Sequence, residues 1–320
     1  MNNPAFLALG SNLHDRNLYL SLARTRIGEW PETLVVGASS IEETPPFGPE
    51  GQDPYLNQML LIETHLDPDQ LLDRAQAIEA ESGRERRERW GPRTLDIDIV
   101  WFADQAISRP DLSVPHPELP NRGFWVREMA ELYPLLDRDT AGAELPAWAR
   151  VQAARRSHIE RVAGLIGAWA IAMRKPRGER ARWVRAAFLH DALRDADPGE
   201  LVALSGDAIG IEVLRHGPAA ATLAEQHGER DREVLDAVRY HSVGSASWRE
   251  LGRMLYMADY LEPGRPFSRE HRAKLAGRVP QDPDSVLLEV ARERLIRALG
   301  ANANVPIEGI QFWNAIVGQR

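Results

Sequence analysis

The chain is predicted to be an α+β domain followed by an all-α domain. Short apolar runs of strand length occur in the first 137 residues, helical spacing governs the chain after residue 150, and the intervening Asp137–Pro146 is polar and rich in breakers. With 320 residues, the chain exceeds what one core usually organises. The expected domains are therefore 1–140 and 150–320.

Taken in order, residues 5–9 (Ala-Phe-Leu-Ala-Leu), 58–63 and 95–102 read as strands, with helices between them near 15–28 and 68–82. The segment from Glu43 through Thr44, Pro45, Pro46 and Phe47 to Pro49 is expected to be irregular, because its prolines lack N–H donors and restrict their neighbours. Strands separated by helices and Pro/Gly loops fit an α+β arrangement. Beyond residue 150, helical spacing marks 151–174, 179–195, 198–204, 210–227, 230–241, 247–262 and 284–299, punctuated by Pro176, Pro198, Pro263 and Pro283.

The composition excludes several function classes. A hydrophobic fraction of 43% and a charged fraction of 27% describe an ordinary folded protein. A formal net charge of −8 argues against gripping a nucleic-acid backbone, which needs many cationic phosphate contacts. No cysteine is present, so disulfides, zinc ribbons and thiol nucleophiles are excluded, and any metal must be held by His, Asp and Glu. The start, Met1-Asn2-Asn3-Pro4, lacks the basic and apolar regions of a signal peptide, and no apolar run reaches the roughly 20 residues that cross a bilayer. The expected location is the cytoplasm, with neither a membrane nor a nucleic acid as partner.

In the N-terminal half, Asp96 and Asp98 alternate with Leu95, Ile97 and Ile99. A period of two sends both carboxylates to one face of a strand. Such a pair can hold Mg²⁺, a hard cation that takes one or two carboxylates together with phosphate oxygens. Two solvated acids on an edge strand give the same alternation. A basic stretch precedes the pair directly and contains Arg84, Arg86, Arg87, Arg89, Trp90 and Arg93. Arginine forks beside a bound metal suit a polyphosphate.

Four ordered motifs, Leu9-Gly10-Ser11-Asn12-Leu13, Thr44–Pro49 with Tyr55-Leu56-Asn57, Arg89–Ile99, and Val114-Pro115-His116-Pro117 with Asn121-Arg122-Gly123-Phe124, resemble the 6-hydroxymethyl-7,8-dihydropterin pyrophosphokinase family. The resemblance covers residues 1–137. It implies a ferredoxin-like α+β fold and transfer of diphosphate from ATP to 6-hydroxymethyl-7,8-dihydropterin, releasing AMP. It further implies that Asp96 and Asp98 bind two Mg²⁺ ions, and that Arg93, Arg122 and His116 contact the phosphates. Arg84, Arg86, Arg89 and Trp90 would belong to a substrate-covering loop, shorter here than in familiar members. Tyr55 and Phe124 would sandwich the pterin, with Asn57 and the backbone of Thr44, Pro45, Pro46 and Phe47 reading its polar edge.

In the C-terminal half, His190-Asp191 lies inside the apparent helical run Val184–Arg194, and a lone doublet of this kind is weak. Asp259 stands beside the apolar stripe Met254, Leu255, Ala258 and Leu261, where a carboxylate is either paired, metal-bound or at the wet margin. The ordered set His158, His190-Asp191, His216, His241 and Asp259 resembles the HD superfamily of metal-dependent phosphohydrolases. The Tyr240-His241-Ser242 and Ala258–Pro263 details are most similar to symmetrical dinucleoside tetraphosphate hydrolases, although a basic residue is lacking near Ser245. The resemblance implies a dinuclear divalent transition-metal centre, Fe or Mn, on those six residues. It also implies cleavage of a nucleotide phosphoanhydride, with diadenosine tetraphosphate going to two ADP. A phosphatase for pterin phosphates or other nucleotides, or a regulatory nucleotide-binding module, is the alternative. Arg194 and Arg253 are candidate phosphate contacts, and His227 and His271 are expected at the surface.

Overall fold

The computed structural model describes residues 2–46, 51–83, 92–136, 144–206 and 211–318. The chain forms two compact units, Met1–Leu136 and Asp137–Arg320. The first is α+β and the second helical.

The first unit is built on an antiparallel sheet of β1 (Asn3–Ser11), β2 (Thr33–Ala38), β3 (Glu42–Thr44), β4 (Tyr55–Thr64) and β5 (Asp96–Phe102). Its order is β2-β4-β1-β5, with β3 also paired to β4. The register sets Gly10 opposite Asp96 and Ala8 opposite Asp98. Alternation then divides the two faces. Ala5, Leu7, Leu9, Leu60, Ile62, Ile97 and Ile99 enter one core with Leu20, Ala23 and Ile27 of α1 (Arg16–Gly28) and Leu71, Ala75 and Ile78 of α2 (Pro68–Glu81). The opposite face carries Ala8, Gly10, Tyr55, Asn57, Asp96 and Asp98 and meets α3 (Gly123–Leu136). A two-residue ladder, β6 (Ile107–Ser108) with β7 (Ser113–Val114), follows β5.

Glu43 and Thr44 correct the sequence reading. They are not irregular but pair with Leu56 and Tyr55, because the N–H-free prolines begin only at Pro45. Alternation also fails to mark β2 and α3. The first is a half-buried strand interrupted by Gly37, and the second is a helix carrying Pro134 close to its end.

The second unit comprises α4 (Ala153–Ala172), α5 (Arg177–His190), α6 (Pro198–Ser205), a 3₁₀ turn at Glu212–Leu214, α7 (His216–Gln226), α8 (Arg232–Tyr240), α9 (Glu250–Leu261), α10 (Arg269–Arg278), α11 (Pro283–Gly300) and α12 (Ile307–Val317). Helix α4 is apolar nearly all round from Ile159 to Ala172, the pattern of a helix enclosed by others, and it packs on α5 and α9. The punctuating prolines have the positions their chemistry favours. Pro198 and Pro283 open α6 and α11 behind the capping side chains of Asp197 and Asp282, Pro176 caps α5, and Pro263 follows α9. Two sequence expectations are corrected here. The helix carrying His190 ends at that residue, so Asp191 is its C-cap rather than an interior residue, and 210–227 divides into a 3₁₀ turn and α7.

Glu128 of α3 is buried at 1% exposure, and neither carboxyl oxygen has a hydrogen-bond partner among the described residues. Burial, reinforced by Glu42 and Glu131, raises its pKa well above the ordinary 4.5. Because the unfolded chain ionises first, stability falls as pH rises from about 4.5 toward the raised value. Glu128→Leu is therefore expected to stabilise the first unit by about 1–3 kcal/mol at neutral pH. Calorimetric unfolding at pH 4.5 and pH 7.5 checks this, and the advantage should be larger at the higher pH.

Candidate functional sites

In the first unit, the far ends of β1, β4 and β5 and the start of α3 enclose a cavity of about 60 Å³. Its walls include Thr44, Pro45, Tyr55, Asn57, Arg93, Asp96, Asp98, Arg122 and Phe124. The small residues Ala8 and Gly10 form its floor opposite the two aspartates. Asn12 ties the loops together. Its carbonyl oxygen accepts from the Arg93 N–H at 2.7 Å, and its amide donates to the Asp53 carbonyl at 3.3 Å. Asn57 donates to Thr44 Oγ1 at 2.9 Å and to the Glu42 carbonyl at 3.3 Å, which fixes the β3 strand beside Tyr55.

Cations surround the acids. Arg93 pairs with Asp96, Arg122 Nη1 lies 3.5 Å from Asp98 Oδ2, and His116 Nε2 lies 4.0 Å from Asp98 Oδ1. Burial, and then Asp96, push Asp98 up to about 7, the response of two carboxylates sharing a confined site. Burial and Arg122 push His116 down to about 4. His116 Nδ1 accepts the Glu118 N–H at 3.1 Å, so a neutral His116 carries its proton on Nε2, facing the aspartates. Glu79 of α2 was not singled out from sequence. Its Oε1 accepts the Ile97 N–H at 2.9 Å and satisfies β5 between the two acids. Pro46 is described outside the cavity wall. Phe47, Arg84, Arg86, Arg89 and Trp90 lie outside the described residues.

In the second unit, His158, His190, Asp191, His216, His241 and Asp259 converge from five helices and are all buried. Around His158 Nε2, His190 Nε2 is at 3.4 Å, Asp259 Oδ1 at 3.2 Å and Asp191 Oδ2 at 3.7 Å. Around His216 Nε2, His241 Nε2 and Asp191 Oδ1 are both at 3.1 Å. Asp191 thus presents one oxygen to each group. Gly217 permits the second group, since a Cβ there would fall 2.9 Å from the Arg239 carbonyl oxygen where α7 meets α8.

The donor set fits a divalent cation. Donors about 2.1 Å from one ion lie roughly 3.0–3.4 Å apart in octahedral or tetrahedral arrangements. His190 Nδ1 donates to the Ala187 carbonyl at 2.6 Å and His241 Nδ1 to the Val238 carbonyl at 2.8 Å, leaving bare Nε2 lone pairs directed inward. Burial pushes His190 down to about 3, which keeps its ring neutral and its Nε2 lone pair free to serve a cation. His216 Nδ1 sits between the Val213 carbonyl, 3.0 Å, and Arg194 Nη1, 2.8 Å. Lone pairs and carboxylates gathered in one buried space require positive charge among them. The C-terminal ends of α5, α8 and α9 contribute the negative poles of their dipoles to the same place.

Four residues not assigned a role from sequence complete this site. Glu262 Oε1 lies 3.1 Å from His158 Nδ1 and orients the ring. Although burial pushes Glu262 up, hydrogen bonds from His158, Arg161 and the Gly264 N–H hold it at about 2. Arg265 and Arg294 both pair with Asp259, and together with His158 they hold its carboxyl well below the usual range despite burial. Arg155 Nη1 lies 2.7 Å from Asp191 Oδ2. Of the earlier candidates, Arg194 reaches the site, whereas Arg253 is directed to Asp284 at 3.6 Å. His227 and His271 are exposed, the latter paired with Glu293.

Glu262→Gln is expected to weaken metal binding about 10- to 100-fold. Metal content after dialysis against a graded chelator series measures this, and retention equal to wild type would count against the orienting role.

The family model for 7,8-dihydro-6-hydroxymethylpterin-pyrophosphokinase matches residues 6–134, and the HD domain model matches residues 155–264. Over 144 residues the chain is 42% identical to the 2-amino-4-hydroxy-6-hydroxymethyldihydropteridine pyrophosphokinase of Bacillus subtilis, covering 45% of this chain and 86% of that one. It is 40% identical over 146 residues to the protein of the same name from Pseudomonas aeruginosa, covering 46% and 90%. Among solved structures, a predicted HD superfamily hydrolase involved in NAD metabolism from Clostridium acetobutylicum aligns with a TM-score of 0.47 at 20% identity, over 53% of this chain and 92% of that one.

Proposed function

Because this chain belongs to the 7,8-dihydro-6-hydroxymethylpterin-pyrophosphokinase family and carries an HD domain behind that half, we propose that it is a bifunctional enzyme. Its first unit transfers diphosphate from ATP to 6-hydroxymethyl-7,8-dihydropterin, and its second hydrolyses a nucleotide phosphoanhydride, with diadenosine tetraphosphate as leading substrate. The observation that carries the kinase reading is one cavity in which Tyr55, Asn57 and Phe124 adjoin Asp96, Asp98, Arg93 and Arg122.

Tyr55 and Phe124 offer aromatic surface to a flat pterin, and Asn57 and Thr44 offer fixed polar atoms to its edge. Asp96 and Asp98 are the residues that would hold two Mg²⁺ ions, which when bound supply charge neutralisation along the triphosphate. Arg93 and Arg122, released from the acids, cover phosphate oxygens, and His116 donates from Nε2. The pterin hydroxymethyl oxygen attacks the β-phosphorus and AMP leaves. Catalysis is positioning and charge stabilisation.

In the second unit, His158, His190, Asp191 and Asp259 would hold one divalent ion and Asp191, His216 and His241 another. A bound ion supplies Lewis acidity toward phosphoryl oxygens. Arg155, Arg194, Arg265 and Arg294 ring the donors with the positive charge a polyphosphate needs.

Asp96→Ala and Asp98→Ala are each expected to lower AMP formation from ATP and 6-hydroxymethyl-7,8-dihydropterin by at least about a hundredfold. Activity near wild type in either variant contradicts the assignment. For the second unit, the full chain carrying Asp98→Ala, loaded with Mn²⁺ or Fe²⁺, should convert diadenosine tetraphosphate to ADP, and Asp191→Ala should not. Phosphate release from a pterin phosphate without turnover of the dinucleotide would move the assignment to a pterin phosphatase. Nucleotide binding with no metal and no turnover would make the unit a regulatory module.

A further inference from the structure

Next to the donor set, α9, α11, α12 and the 3₁₀ turn enclose a second cavity, of about 280 Å³, largely apolar in its lining. Helices α11 and α12 lie beyond residue 264, where the HD domain match ends. The cavity is close to the size at which small-molecule pockets begin, roughly 300 Å³.

Its floor is a block of mutually packed aromatic rings. Tyr256 and Phe312 have centroids 5.2 Å apart, and both contact Trp248, at 5.9 Å and 5.4 Å. Phe312 lies directly on Gly244, whose positive φ and missing Cβ permit that approach. Trp313 and Leu295 form further walls, and Asn304 provides an amide at the rim. Edge-on aromatic packing of this kind is rigid, so the surface is formed before a ligand arrives.

The cavity meets the donor set across two residues that line the one and touch the other. Ser242 lines the cavity while its Oγ lies 3.0 Å from His241 Nε2. Arg294 lines it while pairing with Asp259 and donating to the His241 and Ser242 carbonyls at 3.2 Å and 3.3 Å. Its guanidinium also lies 4.2 Å from the centre of the Tyr256 ring. A phosphate held at the donors and Arg294 therefore has an apolar, aromatic-floored space beside it.

We infer that this cavity holds the bicyclic heteroaromatic ring of the second unit's substrate, placing its attached phosphate at the His/Asp donors. The inference rests on the phosphohydrolase reading for where the phosphate lies. A purine nucleotide and a pterin phosphate share this chemistry, and the ring, rather than the phosphate chain, sets the choice of substrate.

Photolabelling of the full chain with 8-azido-ADP tests it. Trypsin cuts after Arg297 and next at Arg320, releasing 298–320 as one peptide that carries Asn304, Phe312 and Trp313. Label is expected in that peptide. AMP should suppress it at a concentration at least tenfold below that of ribose 5-phosphate, which has the same phosphate and no ring. Ala298→Trp and Val305→Trp, each filling the cavity from its rim, should remove the label while leaving the helical circular dichroism unchanged. Whichever of AMP and 6-hydroxymethylpterin phosphate protects at the lower concentration identifies the ring. Labelling absent from 298–320, equal protection by ribose 5-phosphate, or full labelling in both folded variants overturns the inference. A chain that labels here yet hydrolyses neither substrate class loses the hydrolase reading and keeps the cavity. Hydrolysis without labelling here does the opposite.

Discussion

A carboxylate taken out of water must be met by positive charge or it does not stay ionised, and both sites are organised around that requirement. In the first unit, strand alternation leaves Asp96 and Asp98 no choice of face, because Ile97 and Ile99 are committed to the core. Arg93, Arg122 and His116 are the cations and donor that the surrounding loops bring to them. In the second unit, Asp191 and Asp259 are enclosed by helices, and imidazoles and guanidinium groups close around them. The same imbalance that makes these places costly in isolation is what would draw a cation, and a phosphate with it, in the proposed reactions.

The neighbours of the acids are chosen by space as much as by charge. Ala8 and Gly10 keep the ground opposite Asp98 and Asp96 low, so the first cavity opens above the carboxylates rather than being filled by β1. Gly217 has the corresponding part in the second unit, where it lets the start of α7 come against the carbonyls that end α8. His216 and His241 meet as a result. The meeting of these two candidate metal donors is thus written partly in residues that have no donor atoms in their side chains.

Much of this was legible in the sequence, for identifiable reasons. Period-two alternation around Asp96 and Asp98 placed both on one face, and helical spacing with its prolines located most of the second unit. The ordered His and Asp motifs named the six buried donors. What escaped is what lacks a local signature. Glu262 sits in a quoted motif, yet its contact with His158 spans helices far apart in sequence. Arg294 lies on a helix recognised only by its apolar spacing, and its pairing with Asp259 follows from packing of α11 on α9. The pairing of Glu43 and Thr44 escaped because the following prolines dominate local reading. Alternation could not reveal Asp191 as a helix terminus, since the residues after it continue an apolar pattern.

His158 and Glu262 are 104 residues apart along the chain, and their contact crosses most of the second unit. Donors so dispersed have almost no affinity for a cation while the polypeptide is extended, because closing such a loop costs entropy that no single ligand recovers. Cation affinity therefore accrues at the end of folding, when α4 has been enclosed and α9 has docked on it. A cation that binds only this finished arrangement acts as a thermodynamic clamp on the native topology. Scarcity of that cation would then be felt first as a shorter lifetime of the folded unit, before any question of turnover arises.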